Sequence, residues 1–140
     1  MHIVIFGANG PTGRLLTGQS LSAGHDTVAV TRRPGAFPLR GTRLRVVGGD
    51  VLDQESVDGA VEGSDAVLSA LGAPFGKAPV EVYSRGAEHL LDAMKRYDVR
   101  RLVALTSSAV TGEDEPTGGF LFNRVLQPYV TKRLGRTVYD

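Results

Sequence analysis

His2-Ile3-Val4-Ile5-Phe6-Gly7-Ala8-Asn9-Gly10-Pro11-Thr12-Gly13-Arg14-Leu15-Leu16 is the stretch that decides the architecture. It opens with an apolar, β-branched run, passes through a glycine-rich turn and continues into a helical pattern. Strand, tight glycine turn and helix in immediate succession are the context a dinucleotide phosphate site requires. Gly7 lets the chain turn sharply off the strand. Gly10 has no Cβ, so the backbone can approach a pyrophosphate closely. Gly13 lets the helix pack tightly on the sheet. The helix start presents free N–H groups and the positive end of its dipole. Asn9, Pro11 and Thr12, in the same turn, join the glycines as cofactor-binding candidates. The plain alternative is a βα turn that happens to be rich in glycine, and the flanking patterns favour the phosphate site.

Outward from this turn, strands and helices alternate. Residues 2–6 read as the first strand, and 27–31, 44–47, 66–70 and 101–105 as the next four. The first helix reads as 12–23, ended by Gly24. Asp53 suits the N-cap of a helix across 54–62, because its carboxylate can accept from free first-turn N–H groups. Val80, Tyr83, Ala87, Leu90, Leu91 and Met94 recur at helical spacing and predict an amphipathic helix over 80–97. Apolar strand runs separated by helices imply parallel strands covered on both faces. Right-handed crossovers then give an α/β fold: a doubly wound parallel sheet, strand order 3-2-1-4-5, in three αβα layers.

Composition narrows the field. The 140 residues suit one domain, 1–140. A formal charge of +1 argues against a general nucleic-acid or membrane-surface role. The absence of cysteine excludes disulfides, thiolate chemistry and Cys-based metal sites. His2, His25 and His89 are scattered, so no metal is expected. No apolar run approaches the ~20 residues of a bilayer span. The N-terminus enters a strand directly and lacks a signal-peptide pattern, so a cytoplasmic location is expected.

In such sheets ligands sit beyond the carboxyl ends of the strands. After the second strand comes Thr31-Arg32-Arg33, with no acid to accept from a ribose 2′-hydroxyl. Guanidinium groups bind a 2′-phosphate through charge-assisted bonds, which points to NADPH rather than NADH. The alternative is two solvated charges on a turn. Arg14 is a weaker candidate for the same anion, since a cation in a first helical turn is unfavourable without one nearby. After the third strand, Asp50 could accept from an adenine amino group, with the Val51 N–H as a second contact. Asp50 could also share capping with Asp53. After the fourth, Leu71-Gly72 follow Ala70 where backbone would lie close to a ribose; a plain turn glycine fits equally. After the fifth, Thr106-Ser107-Ser108 would face the nicotinamide end, with Ser107 and Ser108 as candidates for contact with carboxamide or substrate. The same hydroxyls could simply satisfy nearby backbone. Tyr129 with Lys132 raises a Tyr–Lys proton donor, but the usual spacing is four residues, and there stands Arg133. Tyr129 reads better as a helix packing residue.

The turn Gly7–Arg14, then Thr31-Arg32-Arg33-Pro34, Gly49-Asp50-Val51 and 99–108 together resemble the atypical short-chain dehydrogenase/reductases with an NAD(P)H-binding Rossmann domain. Within that group the chain is most similar to the branch of biliverdin-IXβ/flavin reductases. The resemblance covers essentially the whole chain. It implies NADPH binding by Gly7, Gly10, Thr12, Gly13, Arg32, Arg33, Asp50, Leu71-Gly72 and Thr106-Ser107. It implies hydride transfer to a small planar acceptor of flavin, quinone or tetrapyrrole type, by a monomer or homodimer. A non-catalytic NADP(H) redox sensor is the other class it allows. Two departures stand out: the Tyr-x-x-x-Lys pair is absent, and relatives add one or two strands after the fifth. The substrate-binding part is therefore expected to be cut short at Asp140.

Overall fold

The computed structural model describes residues 1–72 and 81–105. Their elements are β1 (His2–Phe6), α1 (Pro11–Ser22), β2 (Asp26–Thr31), a 3₁₀ turn (Pro34–Ala36), β3 (Leu44–Gly48), α2 (Gln54–Val61), β4 (Ala66–Ser69), α3 (Glu81–Arg96) and β5 (Leu102–Ala104). All pairings are parallel and the order is β3-β2-β1-β4-β5, a Rossmann fold. Met1–Gly72 with Val82–Leu105 forms one compact unit. Each expected element is present, with ends displaced by a residue or two. α1 starts at Pro11 because a proline at the first helical position loses no hydrogen bond there.

β1 shows why two layers of helix are needed. Successive side chains of a strand point to opposite faces. Ile3 and Ile5 pack with Ala29, Phe37 and Leu16, on the α1 side. Val4 and Phe6 pack with Val30, Val57, Val61, Val67 and Leu90, on the α2 and α3 side. Ile5 and Val4 are both fully buried.

α1 meets the sheet through small residues. Gly13, Thr17 and Ser20 are its buried positions, whereas Leu15 is 68% exposed. The Thr17 hydroxyl donates to the Gly13 carbonyl at 2.8 Å, and the Ser20 and Thr27 hydroxyls pair at 2.8 Å. Burying these hydroxyls is tolerated because each has a partner. The helix ends where Gly24 takes φ +79. Gly24 N–H donates to Leu21 O and His25 N–H to Ser20 O, which closes a Schellman motif.

The start of α2 departs from expectation. Asp53 does occupy the N-cap position, but its side chain makes no capping bond. The turn is closed through Asp50: Asp53 N–H donates to the Asp50 carbonyl at 3.1 Å, and Asp50 N–H donates to Ser56 Oγ at 3.1 Å. With these contacts in place the loop is held without the Asp53 carboxylate.

Candidate functional site

The loops that leave the carboxyl ends of β1 to β4 are stitched side by side. Ala8 N–H donates to Val30 O at 3.3 Å, Gly49 N–H to Thr31 O at 3.1 Å, and Ala70 N–H to Phe6 O at 3.0 Å. Parallel register thus gathers the turn after β1, Arg32-Arg33, Asp50-Val51 and Leu71-Gly72 along one edge of the sheet.

In the turn after β1 the three glycines stand in different surroundings. Gly7 has φ +72, and a Cβ on it would stand 2.4 Å from the Ala70 carbonyl oxygen. A Cβ on Gly13 would stand 2.2 Å from the Gly7 carbonyl oxygen. Gly10 is different: it has φ −69, and among the described residues a Cβ there would meet only Gly7 O, at 3.4 Å. The space above Gly10 is therefore open. Gly10 is the N-cap of α1, and the first helical bond runs from Arg14 N–H to Gly10 O at 2.9 Å. Thr12 and Gly13 N–H accordingly have no intrahelical acceptor, and no side chain caps them. Two aligned donors at a helix start, beside an open glycine, make a cradle for an anion.

Arg14 does not simply extend into solvent. Its Nε and Nη2 donate to Asn9 Oδ1 at 3.2 and 2.9 Å. This fork ties a guanidinium across the turn and leaves further donors on it free to act. Arg32 and Arg33 are exposed, and neither side chain has a partner among the described residues. The backbone between them is set by the Arg33 N–H, which donates to Thr31 Oγ1 at 3.2 Å.

After β3, Asp50 does something other than helix capping. Its Oδ1 accepts from Leu52 N–H at 3.0 Å, an Asx-type turn. Its Oδ2 and the Val51 N–H have no partner among the described residues. The Val51 side chain is buried beneath α3, where a Cβ on Gly86 would lie 3.1 Å from both Val51 methyls. The Val51 carbonyl faces His89 Nδ1 at 2.8 Å. His89 was considered from the sequence only as a metal ligand, and nothing local signals this contact. Leu71 is half-buried against the same core, and Gly72 is exposed, with no described residue near the place of a Cβ. Thr106, Ser107, Ser108, Tyr129, Lys132 and Arg133 lie outside the described residues. Among the described residues no group of three His, Asp or Glu could hold a metal ion, and no helix is long and apolar enough to cross a membrane.

A family model described as NAD(P)H-binding matches residues 7–136. The chain is similar to (4-alkanoyl-5-oxo-2,5-dihydrofuran-3-yl)methyl phosphate reductase of Streptomyces griseus, 33% identical over 112 residues, which are 80% of this chain and 36% of that protein. The oxidoreductase ylbE from Lactococcus lactis superposes with a TM-score of 0.75 at 20% identity, covering 99% of this chain and 60% of that one. A short-chain dehydrogenase/reductase from Veillonella parvula in complex with NADP gives 0.65 at 20% identity, with 80% and 50% covered. At these identities the two solved structures bear on the fold alone. The chain spans well under half the length of the curated relatives it matches, from 8% to 36%.

Proposed function

Because this chain belongs to the NAD(P)H-binding family of Rossmann-fold proteins, we propose that it is an NADPH-dependent reductase that passes hydride to a planar acceptor of flavin, quinone or tetrapyrrole type. The carrying observation is the anion cradle after β1. Among the described residues Thr12 and Gly13 N–H have no partner beside the open Gly10, and the neighbouring strand end offers Arg32 and Arg33 in place of an acid. In this reading the cradle takes the pyrophosphate through backbone donors and the α1 dipole. Arg32 and Arg33 take the 2′-phosphate, with Arg14, tied to Asn9, in reserve beside it. Asp50 Oδ2 and Val51 N–H take the amino group and adjacent ring nitrogen of adenine. Leu71 and Gly72 line the ribose.

The hydride is the contribution of the reduced nicotinamide when bound. The chain's own share is binding, orientation and charge compensation. Ser107 and Ser108, after β5, orient the carboxamide or the acceptor through hydrogen bonds. The absence of a Tyr-x-x-x-Lys pair supports an acceptor that needs no protein acid, as a flavin does not. The same feature supports the likeness to the flavin reductase branch, and the similarity to a phosphate-ester reductase supports reduction as the direction of chemistry.

The test is steady-state NADPH oxidation with flavin, quinone and tetrapyrrole acceptors, on the full-length protein as its gene encodes it. Turnover with at least one is expected, and Tyr129→Phe should change it little. Tight NADPH and NADP binding without turnover of any acceptor would replace the reductase by a redox sensor.

A further inference from the structure

The peptide joining Val51 to Leu52 is gripped at both ends. Its carbonyl oxygen lies 2.8 Å from Nδ1 of His89, 38 residues further along the chain on α3. Its N–H donates to Asp50 Oδ1 at 3.0 Å. A carbonyl only accepts, so His89 carries a proton on Nδ1. A continuous relay therefore runs from the imidazole through one peptide group to the Asp50 carboxylate. Hydrogen bonds in such a chain polarise one another and hold one another in line.

His89 is itself held. Gln54 Nε2 donates to the His89 carbonyl at 3.2 Å and to Asp58 Oδ1 at 2.9 Å. Gly86, one turn earlier on α3, lets the helix settle against the Val51 methyls. The backbone N–H of Asp50 is fixed on Ser56. Among the described residues Asp50 Oδ2 and Val51 N–H have no partner, an acceptor and a donor on neighbouring residues.

We propose that His89 is a positioning residue for base recognition: through the Val51–Leu52 peptide it sets the Asp50 carboxylate and the Val51 N–H that read the adenine edge. This rests on the reading above that Asp50 and Val51 take the base. Adenine donates from its amino group, whereas hypoxanthine presents a carbonyl oxygen there, which meets the carboxylate acceptor to acceptor. The preference for adenine over hypoxanthine therefore reports how well Asp50 is held, and a general loss of stability does not mimic it.

The experiment is calorimetric titration of the full chain with NADPH and with its hypoxanthine analogue. Asp50→Ala should abolish the adenine preference. His89→Leu, which removes the donor, should weaken NADPH about three- to tenfold and leave the analogue nearly unchanged, the scale of one hydrogen bond. His89→Asn keeps a donor near the place of Nδ1 and should restore most of the preference. If Asp50→Ala abolishes the preference while a folded His89→Leu keeps it, the role of His89 is overturned and the adenine reading stands. If Asp50→Ala keeps it, the adenine reading itself falls. A second measurement needs no variant: ¹⁵N spectra of the His89 ring at alkaline pH should show the Nδ1–H tautomer, shifted on adding 2′,5′-ADP and not on adding nicotinamide mononucleotide. An Nε2–H tautomer, or a ring indifferent to 2′,5′-ADP, would overturn the proposal.

Discussion

The carbonyl oxygen of Gly7 stands where a side chain at Gly13 would have to begin, 2.2 Å from the position of a Cβ. Six residues apart in sequence, the two are in van der Waals contact across the turn. The strand and the helix it feeds are therefore joined by backbone against backbone, with no room for repacking. Gly10, between them, faces open space. One turn thus holds a glycine that packing requires and a glycine that it leaves open.

That separation is measurable. Gly13→Ala must move Gly7 or Ala8 and should destabilise the fold by about 3 kcal/mol or more, at the upper end of overpacking costs. Urea unfolding reads this. Gly10→Val keeps a permitted φ and should unfold almost as the parent does, while NADPH affinity drops about 10- to 100-fold through lost charge-assisted donors. Calorimetry that shows unchanged affinity in a folded Gly10→Val protein would remove the pyrophosphate from this turn.

On the proposed reading, cofactor choice rests on Arg32 and Arg33. Each charge-assisted bond to a 2′-phosphate is worth about 1.5–3 kcal/mol, so NADPH should bind at least about tenfold more tightly than NADH. Changing both arginines to Ala should erase most of that margin and spare NADH. A persistent preference would transfer the 2′-phosphate to Arg14, and Arg14→Ala in the double variant would then abolish it.

Two glycines of α1 and its end should respond to alanine with opposite sign. Neither would meet an atom within 4 Å if given a Cβ. Gly18 lies inside the helix, and Gly18→Ala should stabilise by about 0.5–1 kcal/mol through helix propensity. Gly24 sits at φ +79, and Gly24→Ala should destabilise by about 1–2 kcal/mol, the left-handed penalty. Thermal melts of the two single variants compare them directly.

Asp58 joins α2 to α3, accepting from Gln54 and pairing with Arg96. Asp58 is largely covered and Arg96 half exposed, so screening limits the pair. Asp58→Ala should cost about 1–2 kcal/mol, mostly because the Gln54 amide loses an acceptor in a half-buried place. A loss in urea denaturation below a few tenths of a kcal/mol would mean that water replaces the carboxylate without penalty.

What could be read in advance was whatever is periodic or local. β1 announces itself by consecutive apolar, β-branched residues, and Gly7, Gly10 and Gly13 by their spacing between a strand and a helix. α1 was harder, because the residues it buries are Gly13, Thr17 and Ser20 while Leu15 stays outside. Close approach to the sheet selects small side chains there, and an apolar stripe does not form. Asp53 looked like a helix cap by type and position, yet Asp50 and Ser56 close that turn. Arg14 reads from sequence as a weaker anion candidate, and its bonds to Asn9 carry no signal there. His89 was beyond reach, since its partner Val51 lies far away in sequence and no residue type near either one advertises the bond.

β1 is hydrogen-bonded along its whole length to β2 and over Ile3–Phe6 to β4. Amide exchange there should be the slowest in the described unit, close to the rate of global unfolding, while β3 and β5, outermost among the described strands, exchange sooner. The turn after β1 is therefore appended to the last part of the sheet to open. A dinucleotide lying across this edge would be released from its adenine end first, because the loop after β3 is carried by an outer strand. Its dissociation rate would then follow the local opening of residues 49–53, and the cradle at Gly10 would still be intact when the next molecule arrives.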